Sequence, residues 1–197
     1  MIFDYVVTNS YVLLKLSDLR GRDLISFDHW TRQDILTLLW IALDLKSKET
    51  NVKLCQDLSC TVFYQDVLIK AGLVKGINNC GAVATSLHSS HLPSTLNLEL
   101  FARCLSSASS VIFVEAPWTE EELTHLATGS SMPIINVRSK DSAPLLCLAE
   151  CMTLFEHYGY LRRIVVAYLG PTTDPIARTY IQLLPKIGLH FRYFSDS

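Results

Sequence analysis

The sequence carries no surplus of either charge. Seventeen Lys and Arg stand against nineteen Asp and Glu, for a net charge of −2 and a charged fraction of only 18%. That balance excludes an electrostatic nucleic-acid surface and the polar composition of a disordered chain. No stretch reaches the roughly 18 consecutive apolar residues of a membrane-spanning helix, so neither nucleic acid nor membrane is expected as a partner. The cysteines, at 55, 60, 80, 104, 147 and 151, include no C-x-x-C pair, and no secretory leader precedes them. A disulfide framework or a zinc module is therefore not expected, and a reducing compartment is. MIFDYVVTNSYVLLKL (1 to 16) is apolar, but Asp4 and the lone Lys15 depart from the basic, acid-free pattern of a transit peptide. What the chain does have is apolar residues, 49% of 197. That is enough for one full domain, or for one domain and part of a second.

Periodicity places these residues in alternating elements. Thr31 to Lys46 reads as a helix, with Ile35, Leu38, Leu39, Ala42 and Leu45 at helical spacing and Thr31 with Asp34 as a capping box. Short runs of β-branched and aromatic residues follow at CTVFY (60 to 64), AVATSL (82 to 87), VIFVE (111 to 115) and PIINV (133 to 137). Helices are expected between them at Leu96 to Ser107 and at Glu120 to Ala127, the latter boxed by Thr119 and Glu122. A longer helix is expected from Pro144 to His157, capped by Ser142, with Leu145, Leu148, Met152 and Phe155 on one face. After Gly159 come a strand at RIVVAYLG (163 to 170), a helix from Asp174 and Pro175 to about Pro185, and a strand at LHFRYF (189 to 194). Strands alternating with helices imply an α/β fold with a parallel sheet flanked by helices. The last strand-helix-strand piece is too small to stand alone and must lean on the first domain or on a partner.

Within this frame CTVFYQDVLIKAG (60 to 72) sits where such folds turn from strand to helix and present backbone N–H groups to a ligand. Leu68 and Ile69 are unexpected there. GRDLISFDHWTRQDILTLLWIALDLK (21 to 46), the HL and ARCLSS segments (91 to 107), MPIIN (132 to 136) and LAECMTLFEHYG (148 to 159) resemble ornithine carbamoyltransferase, in the same order and near the same spacing. The resemblance runs from about Gly21 to Phe194. It implies an N-terminal extension (1–20), a carbamoyl-phosphate-type domain (21–142), an interdomain helix (143–160) and the truncated start of a second, ornithine-type α/β domain (161–197).

The resemblance also implies a chemistry. That family moves a carbamoyl group from carbamoyl phosphate to ornithine without metal or organic cofactor, by positioning and by stabilising a dianionic leaving group. No cofactor is therefore expected. Where the family has Ser-Thr-Arg-Thr-Arg to grip phosphate, this sequence reads Leu68, Ile69, Lys70, Ala71 and Gly72, leaving Lys70 as the one cation. An arginine of the family becomes Glu115, turning attraction into repulsion. The His-Pro-x-Gln signature becomes Ala143, Pro144, Leu145 and Leu146, and the Glu-Ser-x-x-Asp-Thr-Ala run becomes Leu96 to Ala102. The Gly-Asp-Gly-Asn-Asn turn facing the amino acid becomes Gly170, Pro171, Thr172, Thr173 and Asp174, and no residue aligns with the catalytic cysteine.

Four remnant substrate positions survive as candidates: Lys70, Asn136, Thr172 and Asp174. Each has a plain alternative. Asn136 suits the end of a buried strand, and Thr172 with Asp174 suits a helix cap. His88 and His91 lie three apart, but no thiolate or carboxylate cluster completes a metal site. Cys147 and Cys151, one helical turn apart, read as small buried apolar residues, and Glu156 with His157 as part of the interdomain helix. No catalytic residue and no metal ligand are assigned.

The expected function is therefore that of an ornithine carbamoyltransferase-like protein that is non-catalytic and acts by oligomerisation, as a homotrimer or in mixed oligomers with an intact carbamoyltransferase. An active or weakly active enzyme using Lys70, and a truncated product without selected function, stay open at this point. So does the compartment, cytoplasmic by the N-terminal sequence and mitochondrial if that of the animal relatives is kept.

Overall fold

The computed structural model describes residues 19–47, 53–93 and 95–195. The targeting reading of residues 1–16 lies outside them, as does most of the N-terminal extension. Arg32–Ser47 forms helix α1, opened by the expected capping box: Thr31 N–H donates to Asp34 Oδ2 at 3.0 Å and Asp34 N–H to Thr31 Oγ1 at 3.2 Å. Then follow β1 (Ser59–Tyr64), α2 (Val67–Asn79), β2 (Val83–His88), α3 (Leu98–Ser106), β3 (Val111–Glu115), α4 (Glu120–Gly129), β4 (Ile134–Arg138) and α5 (Pro144–Tyr158). The chain continues through β5 (Val165–Leu169), α6 (Pro175–Ile187) and β6 (His190–Phe194).

Strands β1 to β4 form a parallel sheet in the order β2-β1-β3-β4. Both faces are covered, as continuous apolar strands require. On one face Phe63, Ile112, Val114 and Ile134 pack with Ala102 of α3 and with Leu123 and Leu126 of α4. On the other, Cys60 and Val62 pack with Ile77 of α2. Helices α3 and α4 approach so closely that a Cβ on Gly129 would lie 2.3 Å from the carbonyl oxygen of Glu99, so only glycine fits there. Leu24 extends the β4 edge through two backbone hydrogen bonds, to Ile134 O at 2.9 Å and from Asn136 N–H at 2.8 Å.

Strands β5 and β6 form a separate parallel pair. Helix α6 between them starts at Asp174, whose carboxylate accepts the Ile176 N–H at 2.7 Å, with Pro175 in the first turn. It ends at Gly188, which adopts the left-handed conformation (φ 90°) that ordinarily favours glycine. This unit does lean on the first. Leu183, Leu184 and Ile187 of α6 join one core with Ile35 and Leu39 of α1, Cys147, Leu148 and Cys151 of α5, and Leu24, Phe27 and Trp30 ahead of α1. Polar ties reinforce it: Arg178 to Asp141 at 3.1 Å, Gln182 to Asp28 at 3.0 Å, and Lys186 Nζ to the carbonyls of Trp30 (3.0 Å) and Phe27.

Helix α5 differs from expectation in two respects. Its buried stripe is Pro144, Cys147, Leu148 and Cys151, rotated from the anticipated Leu145, Leu148, Met152 and Phe155, because α6 covers the turn that carries the cysteines. Met152 flanks that core, and Phe155 meets Trp40 of α1 edge to face. Ser142 does not cap the helix. Its hydroxyl is engaged by Ile25 O and Asn136 Nδ2, and the cap position is Ala143, with no side-chain bond.

Candidate functional site: the cleft at the carboxyl ends of the strands

In a parallel sheet of order β2-β1-β3-β4 the chain leaves β1 in one direction and β3 lies on its other side, so a crevice opens between the carboxyl ends of β1 and β3. An open cleft of about 510 Å³ lies there, lined by Gln65 and Asp66 after β1, Glu115 to Pro117 at the end of β3, Arg138 to Lys140 at the end of β4, and Pro175 of α6.

Its floor is a carboxylate. Glu115, only 2% exposed, points across from β3 and its Oε2 accepts the backbone N–H of Gln65 at 3.0 Å and of Asp66 at 3.1 Å. Asp66 is itself the cap of α2, its Oδ1 accepting the Leu68 N–H at 2.7 Å. Three backbone donors of the strand-to-helix turn are thus taken by the protein's own carboxylates. The first turn of α2 consists of Val67, Leu68 and Ile69, with Leu68 81% exposed. Glu115 was expected to repel an anion from this turn. It also fills it.

Lys70 therefore stands one residue beyond the helix tip, and its ammonium lies over the Tyr64 ring at 4.3 Å. It lines a shallow groove along α2 with Val67, Val74 and Asn78. Asn136 is fully buried, and its Nδ2 donates to Ile25 O (2.9 Å), Ser142 Oγ (3.1 Å) and Ser139 Oγ (3.2 Å), binding the loop after β4 to the segment before α1. Thr172 is exposed in the turn before α6, and Asp174 caps that helix. None of these four lines the cleft, and they are not brought together.

The cations at the cleft are Arg138 and Lys140, which the sequence reading did not single out. Both are exposed, and among the described residues neither has an ion-pair partner. Their sequence signal was weak, because VRSKDS looks like any polar loop after a strand. Beside the cleft, Asp141 accepts the Glu120 N–H at 2.9 Å and pairs with Arg178. Burial holds the Glu120 carboxyl above the usual carboxylate range; Ser142 and Arg178 oppose the shift, and Asp28 and Asp141 add to it.

No group of three or more His, Cys, Asp or Glu side chains among the described residues is placed to hold a metal. His88 Nδ1 is spent on the Ser90 hydroxyl at 2.7 Å. Glu156 pairs with Lys46 of α1 at 2.7 Å, and the His157 ring stacks edge to face on Tyr158. Burial pushes both α5 thiols up, that of Cys151 to about 12, with the Glu150 charge adding to each. At neutral pH such a thiol carries far less thiolate than an exposed one at the ordinary value. Iodoacetamide followed by mass spectrometry should therefore label the exposed Cys104 of the folded protein and leave Cys147 and Cys151 unmodified.

Residues 22–156 match the family model of the aspartate/ornithine carbamoyltransferase carbamoyl-P binding domain. The chain belongs to that family. It is 28% identical over 182 residues to the mitochondrial ornithine carbamoyltransferase of Aquarana catesbeiana and 29% identical over 185 residues to the mitochondrial ornithine transcarbamylase of Gallus gallus. Each alignment covers 88% of this chain and 51% of the relative, so the chain spans about half the length of these relatives. Solved structures agree on the fold. The ornithine carbamoyltransferase of Pyrococcus furiosus superposes with a TM-score of 0.80 at 22% identity, covering 90% of this chain and 58% of that one. The aspartate transcarbamoylase of Trypanosoma cruzi gives 0.76 at 19% identity, over 89% and 59%.

Proposed function

We propose that this carbamoyltransferase-family chain does not transfer carbamoyl groups and acts through association with other chains. The observation that carries the first half is the turn between β1 and α2, where the Glu115 and Asp66 carboxylates hold the backbone N–H groups and Val67, Leu68 and Ile69 supply no charge. A dianion arriving there would meet two carboxylates and an apolar helix tip. The same reading assigns 21–142 to a carbamoyl-phosphate-type unit, 143–160 to the linking helix and 161–197 to the start of an ornithine-type unit. Calorimetric titration of the purified protein with carbamoyl phosphate should give no heat of binding. Saturable micromolar binding would overturn the reading.

The second half rests on uncovered apolar surface. Register places Val165, Ala167 and Leu169 on one face of the β5–β6 pair with His190, Arg192 and Phe194, and Leu169 is 80% exposed. Among the described residues both outer edges of that pair are unpaired. Such a face and such edges favour association. Size exclusion with light scattering should give a mass above the 22.1 kDa monomer, as a trimer or in mixed trimers with an intact carbamoyltransferase. A clean monomer that also fails to co-purify with such a relative would remove the association role and leave a product without selected function.

A weakly active carbamoyltransferase is the second reading. Arg138 and Lys140 at the cleft, without ion-pair partners among the described residues, favour it, because they offer an anion two cations that the α2 turn does not.

A further inference from the structure

We propose that Cys55 and Cys80 are a modification site, a thiol pair that a peroxide-class oxidant closes to a disulfide. The pair lies at the amino ends of the strands, at the opposite end of the sheet from the cleft, and does not depend on how the cleft is read.

The two cysteines belong to segments distant in sequence, and the fold joins them. Before β1 the chain makes a tight turn, in which the Leu58 N–H donates to Cys55 O at 3.2 Å and Asp57 takes the left-handed conformation (φ 66°). Helix α2 ends at Cys80, its C-terminal cap, and the Cys80 carbonyl accepts the Cys55 N–H at 2.9 Å. An amide nitrogen lies about 1.5 Å from its own Cα and a carbonyl oxygen about 2.4 Å, so this bond leaves the two Cα atoms at most about 6.8 Å apart, within the separation that a disulfide spans. The backbones are held on both sides of the pair. A Cβ on Gly81 would come within 3.0 Å of the Lys53 Cβ, and the Val83 N–H donates to Leu58 O at 3.0 Å.

The side chains agree with the backbone. Cys55 packs against the cluster of Cys60, Val62, Ile77 and Ala82, the last two of which flank Cys80 in sequence. Burial raises the Cys55 thiol above its ordinary value, and charge on Cys80 raises it further, as neighbouring thiols do to one another. Cys55 and Cys80 are each partly exposed, whereas Cys60 is buried within β1. A small oxidant therefore reaches the first two and not the third. The thiolate of one attacks the peroxide, the O–O bond breaks, and that sulfur becomes a sulfenic acid as water leaves. The thiolate of the other attacks the sulfenic sulfur, the S–S bond forms and a second water leaves, so two thiols give two electrons to one peroxide. The closed bridge ties the entry of β1 to the exit of α2.

The probe is hydrogen peroxide added to the full, folded chain, followed by iodoacetamide in denaturant, proteolysis without reductant and mass spectrometry. The expected product is a pair of peptides joined through Cys55 and Cys80, two hydrogens lighter than the separate peptides and released by dithiothreitol, with Cys60 recovered as a thiol. Oxidation of the exposed Cys104 in the same sample shows that the oxidant was delivered. Oxidised Cys104 beside Cys55 and Cys80 that are both still thiols, or a bridge that runs to Cys60, overturns the proposal. Single substitutions give a second measurement. In Cys55→Ser and Cys80→Ser the remaining thiol has lost its partner, so dimedone should trap at one of these positions a sulfenic acid that the unmodified chain consumes in the bridge. Labelling of both positions no greater in the variants than in the unmodified chain would also overturn it.

Discussion

Carbamoyl phosphate and ornithine incubated with the purified chain are expected to yield no citrulline above a protein-free control. Charge-assisted hydrogen bonds contribute about 1.5 to 3 kcal/mol each. The resemblance implies a site built on several of them, and here Val67, Leu68 and Ile69 occupy the helix tip while Ala143, Leu145 and Leu146 stand in the run aligned with His-Pro-x-Gln. Losing three such bonds removes about 4.5 to 9 kcal/mol, or roughly three to six orders of magnitude in affinity. Glu115 then adds a like charge at the place where the dianion would have to sit. The measurement is colorimetric or isotopic citrulline detection over a range of protein concentrations. Product rising in proportion to protein would show that Arg138 and Lys140 have rebuilt an anion site in the same cleft. Substituting both by alanine would then abolish it.

Much of the fold was legible because its signals are local. Thr31 with Asp34 and Thr119 with Glu122 are caps readable at a spacing of three, and both close with reciprocal hydrogen bonds. The runs VIFVE and PIINV are apolar because both faces of a parallel strand are buried, so their positions follow from composition alone. The candidate site was less legible because it depends on adjacency. Nothing in CTVFYQD or in VIFVE says that β1 and β3 are neighbours, yet only that neighbourhood lets Glu115 reach Gln65 and Asp66. Read one strand at a time, Glu115 is a repulsive charge. Read across the sheet, it is a ligand of the turn.

The same distinction accounts for what the structure adds at the other residues singled out. Lys70 sits one residue along from a plausible position at the helix tip, and 3.6 residues per turn carry its side chain away from the cleft and onto Tyr64. Ser142 lies one residue too early to cap α5 and is held by Asn136 and Ile25, partners distant in sequence. Asn136 turns its side-chain N–H groups to acceptors within the protein, which only their positions in the fold could show. Arg138 and Lys140 gain significance only because the loop after β4 borders the crevice.

Leu184→Ala should destabilise the whole chain by about 3 to 5 kcal/mol, the upper range for deleting a buried leucine side chain. Leu184 is fully buried in the core shared by α1, α5 and α6, where the β5–α6–β6 unit meets Ile35, Leu39, Cys147 and Cys151. The two units share this core, so a cavity there loosens both sides at once: α6 loses its hold, and the cysteine stripe of α5 loses its cover. Against a typical total of about 5 to 15 kcal/mol, this is a large share of stability. Denaturant unfolding of the variant should show a much lower midpoint, and hydrogen exchange should rise first in β5 and β6. Cys147 and Cys151 should become open to iodoacetamide under conditions where the unmodified chain protects them. Ile181→Ala on the exposed side of the same helix is the control, expected within about 0.5 kcal/mol of the parent. If Leu184→Ala and Ile181→Ala shift the midpoint equally, α6 does not carry the joint between the two sheets, and the second unit must be held by its polar ties at Asp141, Asp28 and Lys186 instead.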